Sequence, residues 1–264
     1  MEELLAPNSL LALFTLAVLE IVLGIDNVVF LAILSGKLPE SQQSKARTIG
    51  LLLAAVGRIV LLFAMSWIIT LDKSVLFELP FEMPGHSEDA PPGITPVTWK
   101  DLILFLGGVF LIGKATWEIG HQLEDHGYKK TKTHSSFAMV LLQILAIDLV
   151  FSLDSVLTAV GMVPPDEYSV RWVPLTIMVT AVLLAIAVML AFSGPIARFV
   201  NNHPSVKMLA LAFLILIGVV LVAEAFHSHV PRGYIYSSMG FSLFVEMLNL
   251  RSARKHSVTR LSES

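Results

Sequence analysis

Hydrophobic residues along the chain gather in seven long stretches, which short polar segments separate. The stretches cover residues 10–34, 49–69, 102–119, 138–160, 172–192, 208–226 and 235–250. A helix needs about 20 apolar residues to cross the hydrocarbon core of a bilayer, and most of the stretches approach or exceed that length. The pattern therefore predicts an all-α integral membrane protein with about seven transmembrane helices, of which the last is the shortest.

The composition of the 264-residue chain agrees with a membrane protein and limits the chemistry of any site. Hydrophobic residues make up 55% of the chain and the mean hydropathy is +0.75, so the chain is more apolar than a typical soluble domain. There is no cysteine, so a metal site would use oxygen or imidazole ligands. The net charge of −3, without a basic patch, predicts no nucleic-acid partner.

The distribution of Lys and Arg predicts the orientation of the chain in the membrane. With the N-terminus outside, the cytoplasmic segments hold twelve of these residues: Lys37, Lys45, Arg47, Lys129, Lys130, Lys132, Arg198, Lys207, Arg251, Arg254, Lys255 and Arg260. The outer segments hold four: Lys73, Lys100, Arg171 and Arg232. Since cytoplasmic loops are enriched in positive residues, we expect an outside N-terminus and a cytoplasmic C-terminus.

Two of the apolar stretches carry the same polar pattern. The first contains Glu20, Asp26 and Asn27, and the second contains Asp148, Asp154 and Ser155 at the same spacing. A carboxylate at the centre of a spanning helix costs about 2.5–3.5 kcal/mol, so four of them facing lipid would cost roughly 10–14 kcal/mol. These side chains must therefore face the interior of the helix bundle, one another or a cation.

The matched motifs also predict an internal repeat. Helices one to three, at about residues 10–120, would repeat as helices four to six, at about 137–227. Because each unit has an odd number of spans, the second copy would enter the membrane from the opposite side, and the two acidic motifs would meet near the midplane. An extra helix at about 234–250 and a basic cytoplasmic tail at 251–264 would complete a single transmembrane domain.

The oxygen-rich motifs suit a hard divalent cation. Carboxylate, amide and hydroxyl oxygens are ligands for Mn²⁺, Mg²⁺ or Ca²⁺ rather than for soft metals. The alternative is a set of internal salt bridges, for which Arg58 and Lys114 would supply the positive charges. Two cations cannot neutralise four acids, so we assign Arg58 and Lys114 counter-ion or gating roles at a cation site.

Two segments on the predicted outer side allow a functional and a structural interpretation. Glu224, His227 and His229 would form a loading or release site for a metal, or His227 and His229 would simply lie at the membrane interface. The acidic loop at 72–100 would be a solvated linker or would gather cations weakly at the mouth of the protein.

Several motifs resemble those of the TerC family of integral membrane proteins. They are LEIVLGIDN at 19–27, IDLVFSLDS at 147–155, HPSVKMLAL at 203–211 and HVPRGYIY at 229–236, in a resemblance that covers about residues 8–250. The resemblance implies a multi-pass protein of the bacterial plasma (inner) membrane. It also implies a relation to the lysine-exporter superfamily, several branches of which are regarded as manganese exporters, although the family name refers to tellurium resistance.

The resemblance carries over to the six matched site residues, which are Glu20, Asp26, Asn27, Asp148, Asp154 and Ser155. Some relatives add a soluble C-terminal module. The chain ends at Ser264 after a short basic tail, so we expect that module to be missing here.

Three functions compete on these observations. The first is export of a divalent cation, Mn²⁺ before the others, through a midplane site and by proton antiport, with the lipid bilayer and the transported ion as the only expected partners and no resident cofactor. The second is an intramembrane aspartyl protease, but Gly24-Ile25-Asp26 lacks the glycine expected beside the acid and Leu153 precedes Asp154. The third is a scaffold without transport activity in an envelope or tellurite stress complex. We expect a transporter and not an enzyme.

Overall fold

The computed structural model describes residues 3–64, 75–80, 95–124, 136–164, 168, 170, 172–228 and 230–262. Its helices are α1 (Pro7–Ser35), α2 (Glu40–Phe63), α3 (Trp99–Glu124), α4 (Phe137–Met162), α5 (Trp172–Asn202), α6 (Pro204–Ala225) and α7 (Arg232–Ser262). Two short strands, β1 (Val75–Leu79) and β2 (Thr95–Thr98), precede α3. The protein is therefore an all-α membrane protein, as the hydropathy pattern predicts.

Proline sets the start of two of the spanning helices. Pro7 and Pro204 lie in the first turns of α1 and α6, where a missing N–H costs nothing because the first N–H groups of a helix have no partner within it. Pro195 instead lies inside α5, which continues past it to Asn202. The hydropathy pattern placed the end of this helix near residue 192, so the helix is longer than the apolar stretch.

Among the described residues, six helices are long and apolar enough to cross a membrane, and they are α1 to α6. The expected seventh span forms a helix, but α7 does not meet the same criterion. Its apolar part, at about 235–250, is shorter than the roughly 20 residues that a span needs. The rest of the 31-residue helix is polar and basic.

The loop at 72–100 contains structure that the sequence pattern did not predict. Strands β1 and β2 pair antiparallel, with Val75 opposite Thr98 and Leu79 opposite Thr95. Thr98 is also the residue before α3, and its backbone N–H and its hydroxyl both donate to Asp101 Oδ2 at 2.8 Å. The ribbon therefore leads directly into the first turn of α3.

The main helix contacts form three pairs. Helix α1 packs on α5, α2 packs on α4, and α3 packs on α6. Exchanging helices one to three with helices four to six turns the first pair into the second and leaves the third unchanged. This is the packing expected for two repeats about a two-fold axis, although the repeat itself stays a prediction.

Candidate functional site

Arg58 of α2 joins two of the predicted site carboxylates in the interior of the bundle. Its guanidinium donates from Nη1 to Glu20 Oε2 of α1 and from Nη2 to Asp148 Oδ1 of α4, the second bond measuring 3.1 Å. Relative exposure is 2% for Arg58, 3% for Glu20 and 7% for Asp148. These three residues, here called the ion cluster, tie together three helices and carry one more negative than positive charge.

Other residues of the two motifs supply hydrogen bonds to the ion cluster. The amide of Asn27 donates to Asp148 Oδ1 at 3.3 Å, and the hydroxyl of Ser152 donates to Asp148 Oδ2 at 3.0 Å. The hydroxyl of Ser155 donates to the carbonyl of Ser152 at 3.3 Å and is buried next to the cluster. Both oxygens of Asp148 are thus held in place, which fixes the orientation of its carboxylate.

The remaining two acids of the motifs, Asp26 and Asp154, lie in α1 and α4, but their side chains are outside the part of the chain that the structure describes. Among the described residues, no group of three or more His, Asp or Glu side chains is arranged to hold a metal ion. The described oxygen donors near the cluster are those of Glu20, Asp148, Asn27, Ser152 and Ser155. The ligand set of a cation therefore stays a prediction.

Among the described residues, cavities of different sizes adjoin the ion cluster, and three of them bear on its chemistry. The largest has a volume of about 70 Å³ and is lined by Asn27, Arg58, Ser155 and Glu224 among others. One of about 20 Å³ touches Asn27 and Asp148 and is otherwise lined by apolar side chains. A third, of about 10 Å³, touches Glu20, Arg58 and Ser155. Since one water needs about 10–15 Å³ of such space, only the first has room for several waters.

The larger and the 20 Å³ cavities lie toward opposite ends of the bundle. Glu224, Ile235 and Tyr236 line the larger one, at the end of α6 and the start of α7. Leu31 and Leu51 line the smaller one, near the end of α1 and in the first half of α2. In the predicted orientation the larger cavity is on the outer side, and apolar residues close the cytoplasmic side.

Lys114 does not join the ion cluster. It lies near Lys37 and Glu118, and the ammonium group of Lys37 donates to Glu118 Oε2. Lys114 and Glu118 are four residues apart on α3, so they share a face of that helix. The spacing of Lys114 and Glu118 was the signal in the sequence for this separate group of charges, Lys37, Lys114 and Glu118, which the sequence interpretation did not include. The structure thus places the two predicted positive residues, Arg58 and Lys114, at separate sites.

The start of α3 and the end of α6 meet through another polar contact. His227 Nε2 lies 3.6 Å from Asp101 Oδ2, and Asp101 is buried. His227 has a φ of 60°, and the N–H of Ser228 bonds to the carbonyl of Ala223 at 2.9 Å, a typical helix C-terminal turn. His227 therefore faces α3, while Glu224 lines the cavity beside the ion cluster. His229 lies outside the described residues.

Sequence comparisons match nearly the whole chain to one family. The model of the TerC family of integral membrane proteins matches residues 5–259, a span that includes the whole ion cluster and Glu224. No solved structure gives a significant match. The resemblance noted in the sequence motifs is therefore confirmed across nearly the whole chain.

The curated relatives are of two lengths. The inner membrane protein YoaE of Escherichia coli is 46% identical over 251 residues, which are 94% of this chain but 44% of YoaE. The chain thus spans less than half of that relative. The inner membrane protein YgdQ of Escherichia coli is 44% identical over 250 residues, which cover 95% of this chain and 96% of YgdQ.

A UPF0053 protein of Haemophilus influenzae is 43% identical over 250 residues, with 94% of this chain and 96% of the relative covered. Six apolar helices and relatives named as inner membrane proteins support a multi-pass inner membrane protein. The family match and the level of identity show that the chain belongs to the TerC family of integral membrane proteins.

Proposed function

We propose that this protein exports a divalent metal cation, Mn²⁺ before Ca²⁺ or Mg²⁺, through the ion cluster. The observation that carries the proposal is a pair of buried carboxylates, Glu20 and Asp148, at the middle of α1 and α4, which share the single guanidinium of Arg58. The pair has an excess negative charge inside a membrane protein. Such a charge is costly and marks an ion pathway more often than a packing contact.

The chemistry of the surrounding groups favours a hard cation as substrate. Glu20 and Asp148 offer carboxylate oxygens, Asn27 an amide oxygen, and Ser152 and Ser155 hydroxyl oxygens. Oxygen ligands suit Mn²⁺, Mg²⁺ and Ca²⁺, whereas Cu(I) and Zn²⁺ prefer sulfur or imidazole. The chain contains no cysteine, which further favours the hard cations.

Arg58 occupies the place of the cation in this proposal. When a cation reaches Glu20 and Asp148, it replaces the guanidinium as their positive partner, and Arg58 swings toward the cavities that its side chain already lines. When the cation leaves, Arg58 returns to Glu20 and Asp148, so the two carboxylates are not left buried without a positive charge. Proton antiport is the coupling we propose, because a carboxylate in a low dielectric readily exchanges a cation for a proton.

The alternative is an inner-membrane scaffold without transport activity, for which the ion cluster would be a structural contact between α1, α2 and α4. A buried ion triad is seldom more stabilising than apolar packing of similar volume, so a purely structural role gives little reason for it. The cavities beside the cluster also leave room for movement, which a structural contact does not need.

The test is the metal content of cells that overexpress the protein under manganese load, measured by elemental mass spectrometry. Wild type is expected to lower cell manganese, and Glu20→Gln or Asp148→Asn is expected to abolish the effect, because each removes a charged ligand while nearly preserving shape. Glu246→Gln is the matched control, since Glu246 is a carboxylate of α7 that lines none of the three cavities beside the ion cluster.

Wild type and Asp148→Asn giving equal manganese contents, at equal amounts of folded protein in the membrane, would contradict export through the ion cluster. The scaffold hypothesis would then be favoured. A drop in calcium or magnesium instead of manganese would keep the export mechanism and change the substrate.

A further inference from the structure

The cavity of about 70 Å³ is lined by more than the residues of the two acidic motifs. Its lining includes Asn27, Arg58 and Ser155, which belong to the ion cluster or touch it. It also includes Glu224 near the end of α6 and Tyr236 near the start of α7. A second carboxylate therefore faces the same space as the proposed transport site, at the end of the bundle predicted to be outside.

We propose that Glu224 forms a second cation site, a release site through which the ion passes between the ion cluster and the outer surface. This inference rests on the proposed export function and deepens it. The site would take a partly hydrated divalent cation, with the carboxylate of Glu224 as its charged ligand. The cavity has room for several waters, which would complete the coordination of the ion.

A buried oxygen of Asn27 provides an independent observation for this site. The side-chain Oδ1 of Asn27 is buried and has no hydrogen-bond partner among the described residues, while its amide nitrogen donates to Asp148. A buried carbonyl-type oxygen without a partner is costly, and a ligand is a common explanation. Asn27 lines the same cavity as Glu224 and donates to Asp148, so it connects the cavity with the ion cluster.

The charges explain why an ion would move from the first site to the second. In the described structure Arg58 is bound to both Glu20 and Asp148, so those carboxylates are occupied. A cation displaced by the guanidinium would be repelled toward Glu224, the other carboxylate that lines the cavity among the described residues. With one formal negative charge among its ligands, this second site would bind weakly, as a site that must release its ion requires.

The closed cytoplasmic side supports the same direction of movement. The small cavity on that side touches Asn27 and Asp148 and is otherwise lined by Phe30, Leu31, Leu51 and other apolar residues. Beyond Asn27 and Asp148, the described lining of that cavity offers a leaving cation no side-chain oxygen, whereas the larger cavity offers the carboxylate of Glu224. The structure thus corresponds to the outward-leaning half of an alternating-access cycle.

Single cysteines in this naturally cysteine-free chain test whether the cavity is wet and from which side. Val220 lines the cavity one helical turn before Glu224, whereas its neighbour Val219 is half exposed on the outside of the bundle, where lipid would cover it. Intact cells would be treated with a small, cationic, membrane-impermeant methanethiosulfonate. We expect Val220→Cys to react from the outer side, and Val219→Cys to react at least about tenfold more slowly because thiolate formation requires water.

Manganese protection tests the role of Glu224 itself. External Mn²⁺ is expected to slow the labelling of Val220→Cys several-fold, and adding Glu224→Gln to the same variant is expected to remove that protection. If the role of Glu224 were merely structural, Glu224→Gln would change the labelling rate of Val220→Cys by the same factor with and without Mn²⁺. Labelling that Mn²⁺ does not affect, or labelling of Val220→Cys only in inverted vesicles, would overturn the release site.

Failure of this inference is distinguishable from failure of the export function. Labelling reports occupation of the cavity, whereas the manganese content of cells expressing wild type or Asp148→Asn reports export. Unprotected labelling together with normal export would remove the Glu224 site and leave the ion cluster as the transport site. Equal manganese contents in wild type and Asp148→Asn would remove the export function whatever the labelling shows.

Discussion

Replacing Arg58 with methionine is expected to lower the free energy of unfolding by about 3–5 kcal/mol, the range for removing one partner of a buried ion pair. Arg58 is 2% exposed and contacts Glu20 and Asp148, which are nearly as buried. Without the guanidinium, two carboxylates would remain in the bundle with no positive charge to balance them. Titration of the purified protein with SDS in mixed micelles would measure the change.

A rescue experiment shows whether charge is the cause of that loss. Adding Glu20→Gln and Asp148→Asn to Arg58→Met removes both uncompensated charges, so the triple variant is expected to recover most of the lost stability. It should nevertheless fail to export manganese, because no charged ligand of the ion cluster remains. This combination, a stable protein without export, separates a role in transport from a role in folding.

Lys37→Met is the matched control for Arg58→Met. Lys37 also pairs with a buried carboxylate, that of Glu118, but its own side chain is 27% exposed. Lys114 lies close enough to Glu118 to replace the lost charge, so we expect a cost below about 1 kcal/mol, as for exposed ion pairs. Equal stability of Arg58→Met and wild type would contradict the ionised cluster described above.

The fold was largely predictable because the bilayer imposes a strong constraint on the sequence. Every backbone group must be hydrogen-bonded inside the hydrocarbon core, so a long apolar stretch leaves few alternatives to a helix. Helix ends were less predictable. Helix α5 continues past Pro195, and α7 continues from its apolar part to Ser262 because no Gly or Pro follows Gly240 to end it.

The sequence predicted which residues belong to the site better than it predicted which of them contact each other. The matched spacing singled out Glu20 and Asp148, but their pairing with Arg58 depends on how α1, α2 and α4 are rotated and shifted against one another. Those contacts join residues 38 and 90 positions apart in the chain, a distance over which hydropathy carries no information. For the same reason Lys114 and Arg58 were both predicted to lie at one cation site, although Lys114 lies near Glu118 on its own helix α3.

Two small residues make contacts that the sequence pattern did not predict. Ser152 is small enough to allow close helix packing, but its hydroxyl donates to Asp148 at 3.0 Å. Gly113 and Gly218 both follow an apolar run in the third helix of their predicted repeat, but the glycine that faces Gly218 is Gly108. Gly108 lies where α3 crosses α6 and Gly113 does not. The position of that crossing depends on how the helices pack, so the sequence of α3 alone does not reveal it.

Alanine at either glycine of this crossing is expected to be the most damaging of the small substitutions in the protein. A Cβ on Gly108 would lie 2.6 Å from the carbonyl oxygen of Gly218, and a Cβ on Gly218 would lie 2.9 Å from that of Gly108. Both clashes are with backbone, so no change of rotamer relieves them and the two helices must separate. Close approach of this kind is a common use of glycine in membrane helices.

We expect Gly108→Ala and Gly218→Ala each to lower the free energy of unfolding by about 1–3 kcal/mol, the usual cost of overpacking. Gly113→Ala is the control on the same helix, because a Cβ there meets nothing within 4 Å. That change should be neutral or should stabilise α3 by up to about 1 kcal/mol, the helix propensity of alanine over glycine. SDS titration of the three variants would measure the difference.

The crossing also bears on transport, because α3 and α6 are the third helices of the two predicted repeats and form the contact that a two-fold axis would leave unchanged. Helices that must rock against each other during alternating access would be held apart by an added methyl group. Gly218→Ala is therefore expected to reduce manganese export more than its loss of stability explains, at equal amounts of folded protein. Export that falls only in proportion to folded protein would show that the crossing is a fixed contact and that the movement occurs elsewhere, between α1 and α5 or between α2 and α4.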